Sequence, residues 1–167
     1  EDDADELFAL TEANRAYLRR WLPWLDVVTV VEDSRAYLAT VAAQREAGLG
    51  PTFAVLRAGA LAGLVGLHRI DRVHRVGSIG YWLAEREQGR GVMTQCCRFV
   101  VRYGFQTLDL NRIEIAAATD NLRSRAIPER LGFQQEGVLR AKENLYGRFV
   151  DHALYSQLRS EFDVVER

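Results

Sequence analysis

One stretch constrains the fold more than any other: residues 77–118 read as strand, glycine-bearing loop, long helix and strand. Residues 77–83 have strand character, Arg86-Glu87-Gln88-Gly89-Arg90-Gly91 forms the loop, and residues 112–118 make the second strand. Between them, residues 92–107 follow a helical period, with Cys96, Phe99, Val100 and Tyr103 on one face and Gln95, Arg98 and Arg102 elsewhere. A helical crossover of this kind returns the chain to the same end of the sheet, so the two strands are parallel neighbours.

The flanks add antiparallel strands and helices. Residues 52–57 and 61–70 are separated by Ala58-Gly59-Ala60, a hairpin spacing, and 71–75 is a polar turn. Residues 2–21 read as a helix with acidic residues in its first turn. Its mostly apolar face carries Leu7, Leu10, Asn14, Tyr17, Leu18 and Trp21. Pro23 ends it, leaving Trp21-Leu22-Pro23-Trp24 as an aromatic corner, and a second helix runs from near Ser34 to Gly48 or Gly50. Downstream, 121–131 is a short helix closed by Gly132, 133–139 a strand, Tyr146-Gly147 a turn and 149–158 the last strand. The expectation is one mixed α/β domain over residues 1–167, mostly antiparallel with one parallel pair. The chain opens inside a helix and without methionine, which points to a missing N-terminal piece.

Several function classes drop out on charge and composition. A formal charge of −1 leaves no basic footprint for a phosphate backbone, so no nucleic acid is expected. The longest apolar stretch, 61–67, is too short to span a membrane, and the acidic start is neither a signal nor a transit segment. Cys96 and Cys97 are adjacent in a helix, a poor geometry for bridging each other, so the chain reads as reduced and cytoplasmic. His68, His74 and His152 have no metal spacing, and no metal is expected.

The loop at 86–91 has two readings. Glycines there let backbone N–H groups from Gln88 to Thr94 approach a ligand, and the helix start adds unpaired donors and a positive dipole end. Together these form a diphosphate cradle, with Arg86 and Arg90 as additional cations. The other reading is a surface turn punctuated by glycine. A dinucleotide fold fits less well: Thr94 stands where the third glycine belongs, and only one such crossover exists. A P-loop fails because no Gly-Lys-Ser/Thr follows.

Arg86-x-x-Gly89-x-Gly91 resembles the R/Q-x-x-G-x-G/A acyl-CoA loop of the GCN5-related N-acetyltransferases, the GNAT superfamily. About thirty residues on, Asp120-Asn121-Leu122-Arg123-Ser124 and Glu129-Arg130-Leu131-Gly132-Phe133 resemble its second cofactor segment. Gly80-Tyr81-Trp82-Leu83 and Trp21-Leu22-Pro23-Trp24 are similar to the RimJ/RimL-like branch, which acetylates ribosomal-protein N-termini. Two departures stand out. The strand that opens the family's fold is absent before the first helix, and Pro128 lies inside the second segment's helix, where its ring predicts a kink beneath the Ser124 carbonyl.

The resemblance implies a GNAT fold holding acetyl-CoA across splayed parallel strands. It assigns cofactor contacts to Trp82, Leu83, Gln88, Gly89, Arg90, Gly91, Val92, Met93, Thr94, Asn121 and Ser124. It also implies direct transfer, with Glu143 as the base that deprotonates the amine and Ser124 as the acid that serves the thiolate. Read alone, Ser124 is also a residue that hydrogen-bonds locally in a helix's first turn, and Lys142-Glu143-Asn144 is also a solvated loop. Tyr146 and Tyr155 are reserve acids, and Trp21 and Trp24 are either core aromatics or a wall of the acceptor groove. An acyl-cysteine route through Cys96 or Cys97 lacks a paired base.

The acceptor expected is a primary amine, first the α-amino group of a protein or peptide. The alternative is a small amine such as a polyamine, an aminoglycoside or a peptide antibiotic. A non-catalytic acyl-CoA sensor is the reading from another class, and the presence of both Ser124 and Glu143 favours an enzyme. Exposed strands and aromatic corners suit a homodimer.

Overall fold

The computed structural model describes residues 2–165. Helix α1 (Asp2–Leu18) and helix α2 (Val31–Glu46) are joined by an aromatic corner with a single 3-10 turn at Leu25–Val27. Helix α1 stops three residues before the expected end, because the N–H groups of Trp21 and Leu22 both donate to the Leu18 carbonyl at 2.9 Å. The chain has tightened before Pro23 arrives. Helix α2 begins three residues before Ser34, since the Asp33 carboxylate accepts from Thr29 and Val30 N–H at 2.7 and 3.0 Å and anchors an earlier first turn.

Strands β1 (Thr52–Arg57), β2 (Ala60–Asp71) and β3 (Val76–Leu83) form an antiparallel meander. Helix α3 (Val92–Gln106) then crosses over to β4 (Arg112–Ala118), followed by α4 (Leu122–Arg130), β5 (Gln134–Leu145), β6 (Arg148–Leu158) and α5 (Arg159–Val165). The result is one six-stranded sheet in the order β1-β2-β3-β4-β6-β5. Three differences from the sequence reading matter. Strand β5 does not stop at Leu139 but continues to the Tyr146-Gly147 turn, so Glu143 lies on a strand rather than in a loop. Helix α5 has no counterpart in the sequence reading; its Phe162 packs on Phe105 at 5.2 Å. Helix α3 is rotated by about one residue. It buries Met93, Cys97, Val100, Val101, Gly104 and Phe105, whereas Phe99 is 54% exposed and meets Phe53 edge-on at 5.3 Å. Apolar residues spread so widely over 96–105 that periodicity admits either stripe, and contact with the sheet decides.

Only Val76–Ser78 register with Arg112–Glu114 across the parallel pair. Beyond them, β3 is paired to β2 alone and β4 to β6 alone, and the sheet opens. Side-chain alternation divides the residues around this opening between the two faces. Ile79, Leu83, Ile113, Ile115, Ala153 and Tyr155 join the core under α3. Trp82 turns the other way, onto Leu7, Leu61 and Leu64 beneath α1.

Candidate active site

After β3 a short 3-10 turn, Glu85–Glu87, leads into the glycine loop. Gly89 and Gly91 have φ of 74° and 75°, the left-handed region that favours glycine. A Cβ added at either would meet no described atom of another part of the chain within 4 Å, so the space beside both glycines is open. Gly91 is the N-cap of α3, and no described side chain caps it, which leaves the first-turn N–H groups at Val92, Met93 and Thr94 facing that space. Arg86 and Arg90 are exposed beside the loop and lie 3.5 and 4.0 Å from the Glu87 carboxylate, which Arg57 approaches at 3.6 Å. This geometry fits a diphosphate held mainly by backbone donors.

The side chains of Trp82 and Leu83 do not face the opening. Leu83 is in the core, and Trp82 lies against Trp24 with ring centroids 6.3 Å apart. What β3 offers a ligand here is its unpaired backbone edge. Gln88 reaches both ways: its Nε2 donates to the Tyr17 hydroxyl at 2.5 Å, and its Oε1 accepts from Arg123 Nη1 at 2.9 Å.

Across the opening, the Asn121 side chain caps α4 by accepting from the Ser124 N–H at 3.2 Å. The chain stays helical from Leu122 to Arg130 through the buried Pro128. Pro128 has no N–H to give the Ser124 carbonyl, and the Tyr81 hydroxyl donates to that carbonyl instead, at 3.0 Å. A tyrosine hydroxyl has one hydrogen, so the 3.1 Å contact between Ser124 Oγ and Tyr81 Oη is donated by the serine. Burial pushes the Tyr81 hydroxyl well above the ordinary tyrosine range, keeping it protonated; nearby Cys97 adds to the shift and the Ser124 bond opposes it. In the sequence Tyr81 stands out only as part of a motif. Two signals nonetheless point to it: alternation sets Tyr81 opposite Trp82, on the α3 side, and a proline four residues after Ser124 demands a foreign donor.

The reserve tyrosines are occupied. Tyr155 donates to Glu129 Oε1 at 2.8 Å and accepts from Arg125 Nε at 2.9 Å; burial is the main cause of its raised pKa. Tyr146 donates to the Leu22 carbonyl at 2.6 Å and accepts from Leu25 N–H at 3.1 Å, with the Arg19 guanidinium 3.7 Å from its ring centre, so it clasps the aromatic corner. Burial raises the pKa of both cysteines, Cys97 far more, which disfavours the nucleophilic thiolate. Among the described residues, no three His, Cys, Asp or Glu side chains are grouped to hold a metal.

Glu143 registers with Val150 on β6 and therefore leaves the sheet on the same face as Val150. Val150 packs with Ala118 and Leu145 against Trp21 and Tyr146. Trp21 also borders a cavity of about 230 Å³ together with Thr119, Asp120, Val150 and Asp151. Glu143 Oε2 lies 3.2 Å from Nε2 of His152, a half-buried strand residue that registers with Ala118 at the end of β4. Ser124 and Tyr81 thus meet on the α3 face of the sheet, beside the opening, and Glu143, His152 and Trp21 lie on the opposite face.

Residues 1–134 match the family model described as an acetyltransferase (GNAT) domain. The chain is 37% identical over 164 residues to YdaF of Bacillus subtilis (strain 168), a putative ribosomal N-acetyltransferase, spanning 96% of this chain and 88% of that protein. Among solved structures it is similar to RimL, a ribosomal L7/L12 alpha-N-protein acetyltransferase in complex with coenzyme A. That match has a TM-score of 0.89 and 27% identity over 96% of this chain and 90% of that one. The microcin C7 self immunity acetyltransferase MccE, in complex with acetyl-CoA and AMP, gives 0.87 and 28% over 93% and 86%. A sheet that opens beside an uncapped, glycine-started helix is the feature the sequence resemblance led us to expect, and with these matches the chain belongs to the GNAT family of acetyl-CoA-dependent N-acetyltransferases.

Proposed function

We propose that this acetyltransferase modifies the N-terminal α-amino group of a protein, of the ribosomal kind its relatives' names indicate, with Glu143 as base and Ser124 as acid. The supporting observation is the division of side chains between the two faces of the sheet: Glu143 on the face of Trp21, the Ser124 hydroxyl on the α3 face. Acetyl-CoA supplies an activated acyl group and a thiolate leaving group. The backbone from Gln88 to Thr94 holds its diphosphate, and Asn121 and Ser124 border its sulfur end. Glu143 takes the ammonium proton, directly or through one water, so that the amine attacks neutral. Ser124 then gives its proton to the departing sulfur, leaving the bond it makes to Tyr81, and regains one from the nitrogen, which sheds its second proton as the amide forms. No covalent enzyme intermediate is needed, and neither cysteine is suited to form one. Cytoplasmic conditions match this reading, since they hold Cys96 and Cys97 reduced.

A second acceptor class is favoured by one feature. Asp120 and Asp151 border the cavity beside Trp21, a setting that also suits a compact polyamine cation. Acetyl-CoA turnover on free N-terminal peptides, the same peptides Nα-blocked, polyamines and aminoglycosides separates the two. Highest kcat/KM on the free peptides and none on the blocked ones is the result expected. Faster turnover of a polyamine or aminoglycoside replaces this acceptor with the second class.

A further inference from the structure

The pairing of Glu143 with His152 rests on a local irregularity in the sheet. Leu139 registers with His152, and Glu143 registers with Val150, so four steps along β5 match two along β6. The surplus is a bulge at residues 140–142. Ala141 has a φ of 48°, and its N–H donates to Asp151 Oδ1 at 2.7 Å. Bulges of this kind re-aim a side chain. Here the bulge makes Glu143 and His152 diagonal neighbours on one face, within reach of long side chains. Three consecutive β6 residues build the arrangement. Val150 floors the Trp21 cluster, Asp151 pins the bulge, and His152 meets the carboxylate.

An ionised carboxylate has only lone pairs, so the hydrogen in the 3.2 Å contact belongs to His152 Nε2. That bond occupies Oε2 and leaves Oε1 to the incoming ammonium. The two side chains are 13% and 26% exposed, so water competes little for the contact and the carboxylate is held in one orientation.

We propose that His152 is a positioning residue for the base, fixing Glu143 through Nε2–H so that Oε1 faces the acceptor amine. The inference rests on Glu143 being the base. It assigns a function to a histidine otherwise visible only as a strand residue outside any metal site.

The test is steady-state acetylation of a short peptide with a free α-amino group by the parent, His152→Ala, His152→Gln, Glu143→Gln and the Glu143→Gln/His152→Ala double variant. His152→Ala should lower kcat roughly 10- to 100-fold, the rate equivalent of one hydrogen bond to a charged group, with little change in KM for acetyl-CoA. His152→Gln, whose amide N–H can stand in for Nε2–H, should recover most of that loss. In the Glu143→Gln background, His152→Ala should cost little more, since the group it orients is already gone. Parent-like turnover by His152→Ala with a slow Glu143→Gln overturns the role of His152 and leaves Glu143 as the base. Equal losses in His152→Ala and His152→Gln, or a full further loss in the double variant, also overturn it. A Glu143→Gln variant at the parent's rate removes the base itself. If His152→Ala fails to fold, a slow His152→Gln with normal acetyl-CoA affinity is enough to reject donation from Nε2.

Discussion

The two ends of the parallel pair β3–β4 are built on opposite plans. At the closed end, three registered pairs hold the strands together, and Arg112 fastens β4 to β5 across β6 by donating to Glu136 at 2.6 Å. At the open end the strands have lost each other; a loop backbone and a serine–tyrosine pair border the gap, and a glutamate–histidine pair lies on the opposite face of the sheet, on β5 and β6. The closed end gives the sheet its coherence, and the open end is the place proposed for binding and reaction. Substitutions of the loop glycines and the proposed reacting groups at the open end should therefore change kinetics or ligand affinity more than stability, and those at the closed end the reverse.

The largest effect expected is at Glu143, the proposed base. Glu143→Gln should cut turnover roughly 10²–10⁴-fold, the usual range for one acid–base group, while calorimetric affinity for CoA stays near the parent's. Gly91→Val should do the converse. A β-branched residue at a φ of 75° strains the loop, and its side chain fills open space beside the proposed cradle. CoA affinity should fall roughly tenfold or more, for a strain of about 1–2 kcal/mol plus the blocked approach. Parent-like CoA binding by Gly91→Val would break the comparison, because the loop would then be only a turn.

How much of this is legible in the sequence follows from how local each part is. The cradle is built from consecutive residues, Gln88 to Thr94, and its glycines and helix start are visible without a fold. The strand–helix–strand crossover is equally plain, and residues 112–118 form β4 as read. The face that carries Glu143 depends on pairing between distant strands. Arg140-Ala141-Lys142 shows no alternation because it is a bulge, so pattern alone ends the strand at Leu139 and leaves Glu143 in a loop. His152 carries no sign of its partner until the register is known. The stripe on α3 is displaced by about one residue for a related reason: periodicity locates a face only to within the spread of apolar residues, and the sheet chooses within it.

The serine–tyrosine pair offers a smaller kinetic effect that sharpens the division of labour at the open end. If Ser124 is the acid, Ser124→Ala should slow single-turnover acetylation by roughly tenfold, less than Glu143→Gln, because a thiolate can leave without full protonation. Tyr81→Phe removes the acceptor that holds the serine's hydrogen, so the chemical step should persist. The cost should appear as stability, about 1–3 kcal/mol, because the Ser124 carbonyl loses the Tyr81 donor and Pro128 has no N–H to replace it. The opposite pattern, with Ser124→Ala fast and Tyr81→Phe slow, would move the acid to Tyr81.

The smallest effect belongs to the closed end and should spare catalysis. Arg112, and after it the Ser156 hydroxyl, hold the Glu136 carboxyl down to about 2. Its ordinary value is 4.5. A carboxyl depressed on folding adds stability that is complete above the ordinary value and is lost as the pH falls toward the folded one. Glu136→Gln should therefore lower Tm at pH 7, and the gap between variant and parent should close between about pH 4.5 and pH 2. The Glu136 side chain is 41% exposed, so solvent screening keeps the effect at about 1 kcal/mol or less, roughly 2–4 °C in Tm for a chain of this size. Thermal melts across that pH range, with kcat measured at pH 7, provide the check. A Tm gap that stays constant from pH 7 to pH 2 would show that the ion pair is not its source. A large loss of kcat with unchanged Tm would mean that the closed end reaches the chemistry after all, and the two ends would no longer be separable.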